Sequence, residues 1–170
     1  MEHVSIGRAQ QLTSPNPFAL VSTSSSCGKN NLAAVSWWTY LSNHPATVGV
    51  CLSQKGYTGK LIQETGEFCL CVPDESLQEA AFRCGTCSGA TVDKAEAFGI
   101  VLEPSCDIAP QRVAHSRLVL ECRLVQSVPV GDHMFYIGEV LGAYANENAP
   151  GLFAMDGYRR LAVVAFPPGR

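Results

Sequence analysis

The sequence predicts a mainly β protein, an antiparallel barrel with Greek-key connections and a few short helices. Three observations carry that prediction. Apolar, β-branched runs of strand length recur along the chain, with Pro, Gly, Asn or Asp among the residues that separate them. The clearest run, residues 117–128, alternates at period two, with Leu118, Leu120, Cys122 and Leu124 on one face and Glu121 and Arg123 on the other. Helical patterns are few and short, and they do not alternate with strands as βαβ units would.

In chain order, residues 18–23 form the first strand, after Pro15-Asn-Pro17. The Ser-rich stretch 22–26 and the Cys-Gly-Lys-Asn-Asn that follows read as a hairpin loop. Residues 32–41 and 46–53 form a strand pair across the turn cluster Ser42-Asn-His-Pro45. A helix over 57–64 follows the break at Gly56, and a strand over 67–72 closes at Pro73. Asp74 is a good N-cap for a helix over 75–83, ended by Gly85, and a third helical piece, 91–98, ends at Gly99. Strands at 117–128 and 133–145 flank the hairpin turn Gly131-Asp132. The last strand, 160–166, stops at Pro167-Pro168.

Composition narrows the function. A chain of 170 residues fits one domain, and 1–170 is read as such. With 46% apolar and 16% charged residues it buries a core and is not disordered. Twelve Lys plus Arg against fifteen Asp plus Glu, with no run of like charge, argues against nucleic-acid binding and against docking on an anionic membrane. The first residues lack a basic n-region and an apolar h-region, and the longest apolar runs are far short of a membrane span. The expectation is a cytoplasmic protein. Its eight cysteines are then read as free, several as small buried hydrophobes within strands.

Common catalytic motifs are absent. There is no GxGxxG, GxSxG or HExxH, and Gly28-Lys29-Asn30 lacks the rest of a phosphate-binding loop. Cys84-Gly-Thr-Cys87 is a CxxC, read as structural; a redox dithiol or half a zinc site are the alternatives, and no metal site is expected. Ser53-Gln-Lys-Gly-Tyr-Thr58 sits where a strand meets a helix and offers hydroxyls, a Lys and helix-start N–H groups to a phosphate; an ordinary N-cap is the plainer reading. Ser88 to Lys94 is a second loop with hydroxyls, Gly89 and a Lys. Trp37 and Trp38 are strand neighbours, so one can face the core while the other covers a flat ligand. His133, beside the turn, can hydrogen-bond a ligand or donate a proton.

Taken in order, several segments resemble one family. They include Asn16-Pro-Phe-Ala-Leu-Val-Ser-Thr23, Asn31-Leu-Ala-Ala-Val-Ser-Trp37, Tyr57-Thr-Gly-Lys-Leu-Ile62, Cys84-Gly-Thr-Cys-Ser-Gly89, Asp93-Lys94, Gly131-Asp-His133 and Tyr158-Arg-Arg-Leu161. The chain resembles the flavin reductase-like, FMN-binding split-barrel family, and in particular its flavoredoxin-like members. That resemblance implies a homodimeric split barrel with one FMN per subunit. It implies FMN contacts at Asn31, Trp37, Thr58, Lys94, His133 and Phe166, with Ser36, Ser53, Ser88 and Gly89 beside them. His133 is the candidate catalytic residue. The implied function is an oxidoreductase drawing electrons from NAD(P)H or a redox protein partner; an electron carrier without its own nicotinamide site and a non-catalytic FMN-binding module are the alternatives. The chain departs from the family pattern at Cys87 and in the short, nearly neutral segment 146–157.

Overall fold

The computed structural model describes residues 1–164. Its centre is a seven-stranded antiparallel sheet. The strands are β2 (Ala19–Ser24), β3 (Asn30–Val35), β4 (Trp38–Asn43), β5 (Ala46–Ser53), β6 (Glu67–Pro73), β9 (Ser116–Val130) and β10 (His133–Ala145). They lie in the order β3-β2-β6-β9-β10-β5-β4, so consecutive strands are often not neighbours, as in a Greek key. Short strands β1 (Asn16–Pro17), β11 (Leu152–Met155) and β12 (Arg160–Val163) form a second small sheet, and β7 (Leu102–Glu103) pairs with β8 (Arg112–Val113).

One connection curls the large sheet. β3 and β4 are its two edges, yet only Ser36 and Trp37 lie between them. Three Cα–Cα steps of 3.8 Å reach about 11 Å at most, so the two edges must meet. The Cys51 N–H of β5 donates to the Trp37 carbonyl at 2.8 Å, which carries the β4–β5 pairing into the link. The sequence expectation of one strand over 32–41 is corrected here: the run breaks at Ser36-Trp37 because the chain steps from one edge to the other.

Two cores result. Ala19, Val21, Val35, Val48, Val50, Phe68, Leu70, Leu120 and Cys122 fill one. Phe18, Leu20, Leu32, Cys69, Cys71, Leu77, Ala81, Val113, Leu152 and Leu161 fill the other. β2 and β6 therefore bury both faces, alternate residues going to alternate cores. The helices close the ends: α1 (Ile6–Leu12), α2 (Tyr57–Thr65), a 3-10 turn (Glu75–Leu77) leading into α3 (Gln78–Cys84), and α4 (Lys94–Phe98). The Asp74 carboxylate accepts from the Ser76 N–H at 2.9 Å, the capping expected from the sequence. The β9–β10 turn is Gly131-Asp132, with Gly131 at φ 57, a left-handed value that favours glycine there. The expected hairpin loop shortens, because Ser22–Ser24 are buried in β2 and the turn begins at Ser25.

Glu121, on the face of β9 opposite Leu118, Leu120 and Cys122, is fully buried. That face lies beneath residues 104–111, whose Cys106 and Asp107 N–H groups donate to the Glu121 carboxylate at 2.8–3.1 Å. The Arg112 Nε stands 4.0 Å away. A neighbouring carboxylate, Glu67, accepts from the Ala109 N–H at 2.8 Å and holds the same loop. Glu121→Ala strips an acceptor from two N–H groups of this loop. We expect it to lower stability by roughly 2–4 kcal/mol, read by urea unfolding, and to speed proteolysis within 104–111.

Candidate functional site

Ser36 and Trp37 sit on the seam between the two edge strands, and that seam is one wall of the largest cleft described, about 640 Å³. This lies within the range of small-molecule pockets, ~300–1,000 Å³. Ser53 at the end of β5 and His133 at the start of β10 are register partners, which brings both to the same wall. The indole of Trp37, 45% exposed, lies against the His133 imidazole with ring centroids 4.9 Å apart. His133 Nδ1 is 2.7 Å from the Asp132 carboxylate, which orients the ring. That hydrogen bond, with the imidazole beside it, holds the Asp132 carboxyl below its ordinary value.

The opposite wall comes from α1 and from the turn 156–159. Gln10, Gln11, Asp156 and Arg159 line it. Sequence reasoning missed this wall. α1 buries no residue and so leaves no apolar stripe to read; its signal is the Ser5 side chain accepting from the Arg8 N–H. Asp156 is left-handed, φ 51, where a residue other than glycine is uncommon.

Three further predicted residues converge behind the seam. The Asn31 amide of β3 donates to Thr23 Oγ1 at 3.0 Å and to Thr58 Oγ1 of α2 at 2.9 Å. Its carbonyl oxygen, Oδ1, is buried and has no hydrogen-bond partner among the described residues. Gly89 packs directly on it: a Cβ at Gly89 would lie 1.7 Å from Asn31 Oδ1, so only glycine permits this approach. Thr58 is buried in the first turn of α2, whereas Ser53 and Lys55, of the same expected cradle, are exposed. Ser88 is exposed, and its hydroxyl accepts from the Ala90 N–H at 3.3 Å.

Lys94 ends the loop read at 88–94 and lies within the helical piece read at 91–98, which the structure shortens to Lys94–Phe98. It is the first residue of α4, which Asp93 caps, and it is 5% exposed. Its ammonium donates to the Cys84 carbonyl at 2.6 Å, and no ion pair to it occurs among the described residues. Burial lowers its pKa, opposed by the nearby thiols of Cys84 and Cys87. Gly85, the residue after Cys84, lines the cleft, so Lys94 is tied to the cleft wall through one peptide. Phe166 lies outside the described residues.

All eight cysteines are free thiols. Cys69, Cys71, Cys84 and Cys122 are buried, but Cys51 is half-buried and lines the cleft. Burial pushes the Cys84 thiol up to about 12, which keeps it protonated and poorly nucleophilic at neutral pH. No group of three or more His, Cys, Asp or Glu able to share a metal occurs among the described residues. No helix among them is long and apolar enough to cross a membrane.

The arrangement is an open cleft with an aromatic wall; outside its lining lie a buried acceptor and a buried cation that have no hydrogen-bond donor and no carboxylate, respectively, among the described residues. The family model for the flavin reductase like domain matches residues 12–162 of this chain. The chain belongs to the flavin reductase-like family. An uncharacterized protein of Archaeoglobus fulgidus is 35% identical over 113 residues, 66% of this chain and 64% of that protein, so the match spans less than two thirds of the relative. The ferric-chelate reductase (NAD(P)H) of the same organism is 26% identical over 117 residues, 68% of each chain. The flavoredoxin of Desulfovibrio vulgaris (Miyazaki F) shares the fold at a TM-score of 0.85 and 22% identity, over 99% of this chain and 97% of that one. The split-barrel architecture expected from the sequence is therefore the one observed, with few short helices around a mainly β body.

The contact between Gly89 and Asn31 yields a test of this packing. Gly89→Ala must displace the Asn31 amide or the 88–92 loop, and we expect a loss of about 1–3 kcal/mol by thermal or chemical unfolding. Gly7→Ala, where nothing lies within 4 Å of the added methyl, should be neutral or stabilising by up to about 1 kcal/mol in the same assay.

Proposed function

We propose that this chain is an FMN-dependent oxidoreductase that takes electrons from NAD(P)H and passes them to a small acceptor or a redox protein. The observation that carries the reading is the buried Lys94 ammonium, held by one carbonyl and no carboxylate, behind a cleft walled by Trp37 and His133. A buried cation without a counter-charge is costly, and a phosphate would relieve that cost. Trp37 offers an apolar face to a flat ring, and the unpartnered Asn31 Oδ1 offers an acceptor to a polar group of the same ligand. Family membership supports a flavin. Lys94, with the Thr58 hydroxyl, supports the monophosphate form.

Bound FMN would supply a two-electron carrier able to accept hydride. The chain's own residues do the rest. Lys94 and Thr58 would anchor the phosphate end. Trp37 would cover the ring and exclude water from one side. His133, oriented through Nδ1 by Asp132, would present its other ring nitrogen, Nε2, to hold or move a proton at the ring edge. A second copy of the chain is proposed to complete the cleft, because Trp37, Tyr40 and Leu41 leave an exposed apolar strip beside it.

Under anaerobic conditions, NADH or NADPH should bleach the visible absorbance of the purified yellow protein without any partner. A flavin that stays oxidised with both nucleotides, yet is reduced by a redox protein, makes the chain a carrier. A colourless protein that takes up no added FMN ends the flavin reading. The phosphate assignment has its own test. Lys94→Ala should weaken FMN roughly tenfold or more while leaving riboflavin unchanged. Because the phosphate favours charged Lys94, FMN affinity should be full below the lowered Lys94 pKa and fall as pH rises through it. Riboflavin affinity, measured by fluorescence quenching across the same range, should stay flat.

A further inference from the structure

Tyr158-Arg159-Arg160-Leu161 is a segment for which the cleft uses only part. Arg159 lines the large cleft and also a second groove of about 370 Å³, so the two hollows adjoin at this residue. The groove is walled by Phe82 and the buried Leu161, with Gln78, Glu79 and Arg160 at its polar margin. Phe82 lies nearly parallel to Tyr158, ring centroids 5.9 Å apart at 16°. The Gln78 amide donates to the Leu161 carbonyl at 2.8 Å and ties α3 to β12, which makes the groove wall a fixed surface rather than a loop. Arg160 lines only the groove, and no ion pair to it occurs among the described residues. Arg159 pairs with Asp156 at 3.4 Å, but both side chains are well exposed, so the pair is weak and readily exchanged for another anion.

Two hollows, each with an aromatic wall, adjoining at one arginine and with a second arginine in the outer one, fit a single elongated ligand. That ligand has two flat ring systems joined by phosphates. We infer that the groove is the adenosine subsite of a nicotinamide dinucleotide, with Arg159 at the diphosphate and Arg160 reading a 2′-phosphate. The chain then discriminates NADPH from NADH. The inference rests on the reading of the large cleft as the site where the flavin is reduced. A guanidinium engages phosphate through paired N–H donors, which a ribose hydroxyl cannot match in strength. Glu79 is suited to accept from an adenine amine or a ribose hydroxyl, and it opposes any anion not held by the two arginines.

Calorimetric titration with 2′,5′-ADP and 5′-AMP, which differ only in the 2′-phosphate, isolates this subsite, since neither nucleotide carries a nicotinamide or reduces a flavin. With the protein as purified, 2′,5′-ADP should bind about tenfold or more tightly than 5′-AMP. Arg160→Ala should remove that difference while leaving 5′-AMP affinity nearly unchanged, and Arg160→Lys should restore part of it. Arg159→Ala, which removes the contact to the 5′-phosphate common to both, should weaken both nucleotides alike. Far-ultraviolet circular dichroism and the thermal midpoint of each variant separate lost binding from lost folding. Equal affinity for the two nucleotides, binding of neither, or a preference that survives Arg160→Ala in a folded protein overturns the inference. An adenosine arm belonging to a flavin dinucleotide would give that first outcome, because it has no 2′-phosphate. Failure here leaves the flavin reading standing. A protein without flavin that still prefers 2′,5′-ADP keeps the groove and discards the flavin.

Discussion

The two-residue link between β3 and β4 is the constraint on which the rest depends. An open seven-stranded sheet would place its edge strands far apart, yet Val35 and Trp38 are separated only by Ser36 and Trp37. The sheet must curl until those edges touch, and the link cannot also bury its own side chains. Trp37 is thereby left half out of the structure, at the mouth of the barrel, with His133 and Ser53 delivered to it by the β5–β10 register. Closure of the barrel and creation of the cleft wall are one event.

Two buried charges show how the fold separates structural from functional polarity. Glu121 has no exposure, and backbone N–H groups of one loop answer its carboxylate. That group is satisfied, so its use is to pin the 104–111 loop over the sheet. Lys94 is buried to nearly the same degree but, among the described residues, gives a hydrogen bond only to the Cys84 carbonyl. An ammonium has three donors. The unspent donors of Lys94 and the unpartnered oxygen of Asn31 are what set the candidate site apart from a core.

The cysteines follow the same logic of environment over spacing. Cys84-x-x-Cys87 has the spacing of a redox pair, but Cys84 ends α3, where the helix dipole disfavours a thiolate, and burial raises its pKa further. The spacing alone said nothing about that. Cys51, which spacing did not single out, is the thiol that faces the cleft.

The main strands, the Gly131-Asp132 hairpin and the Asp74 cap were legible in the sequence because each is set by local patterns: period-two alternation, turn chemistry and a side chain that reaches its own backbone. The order of segments also named Ser36, Trp37, Ser53 and His133, which line one side of the cleft. Other features had no local signature. The break at Ser36-Trp37 interrupts an unbroken strand-like run. Glu121 and Lys94 look solvated until another segment covers them, and α1 and the 156–159 turn reach the cleft without an apolar face to announce them. A sequence states how each residue prefers to lie relative to its neighbours along the chain. What covers a face, and which edge meets which, is decided by contacts between segments far apart in sequence, and those exist only once the barrel has closed.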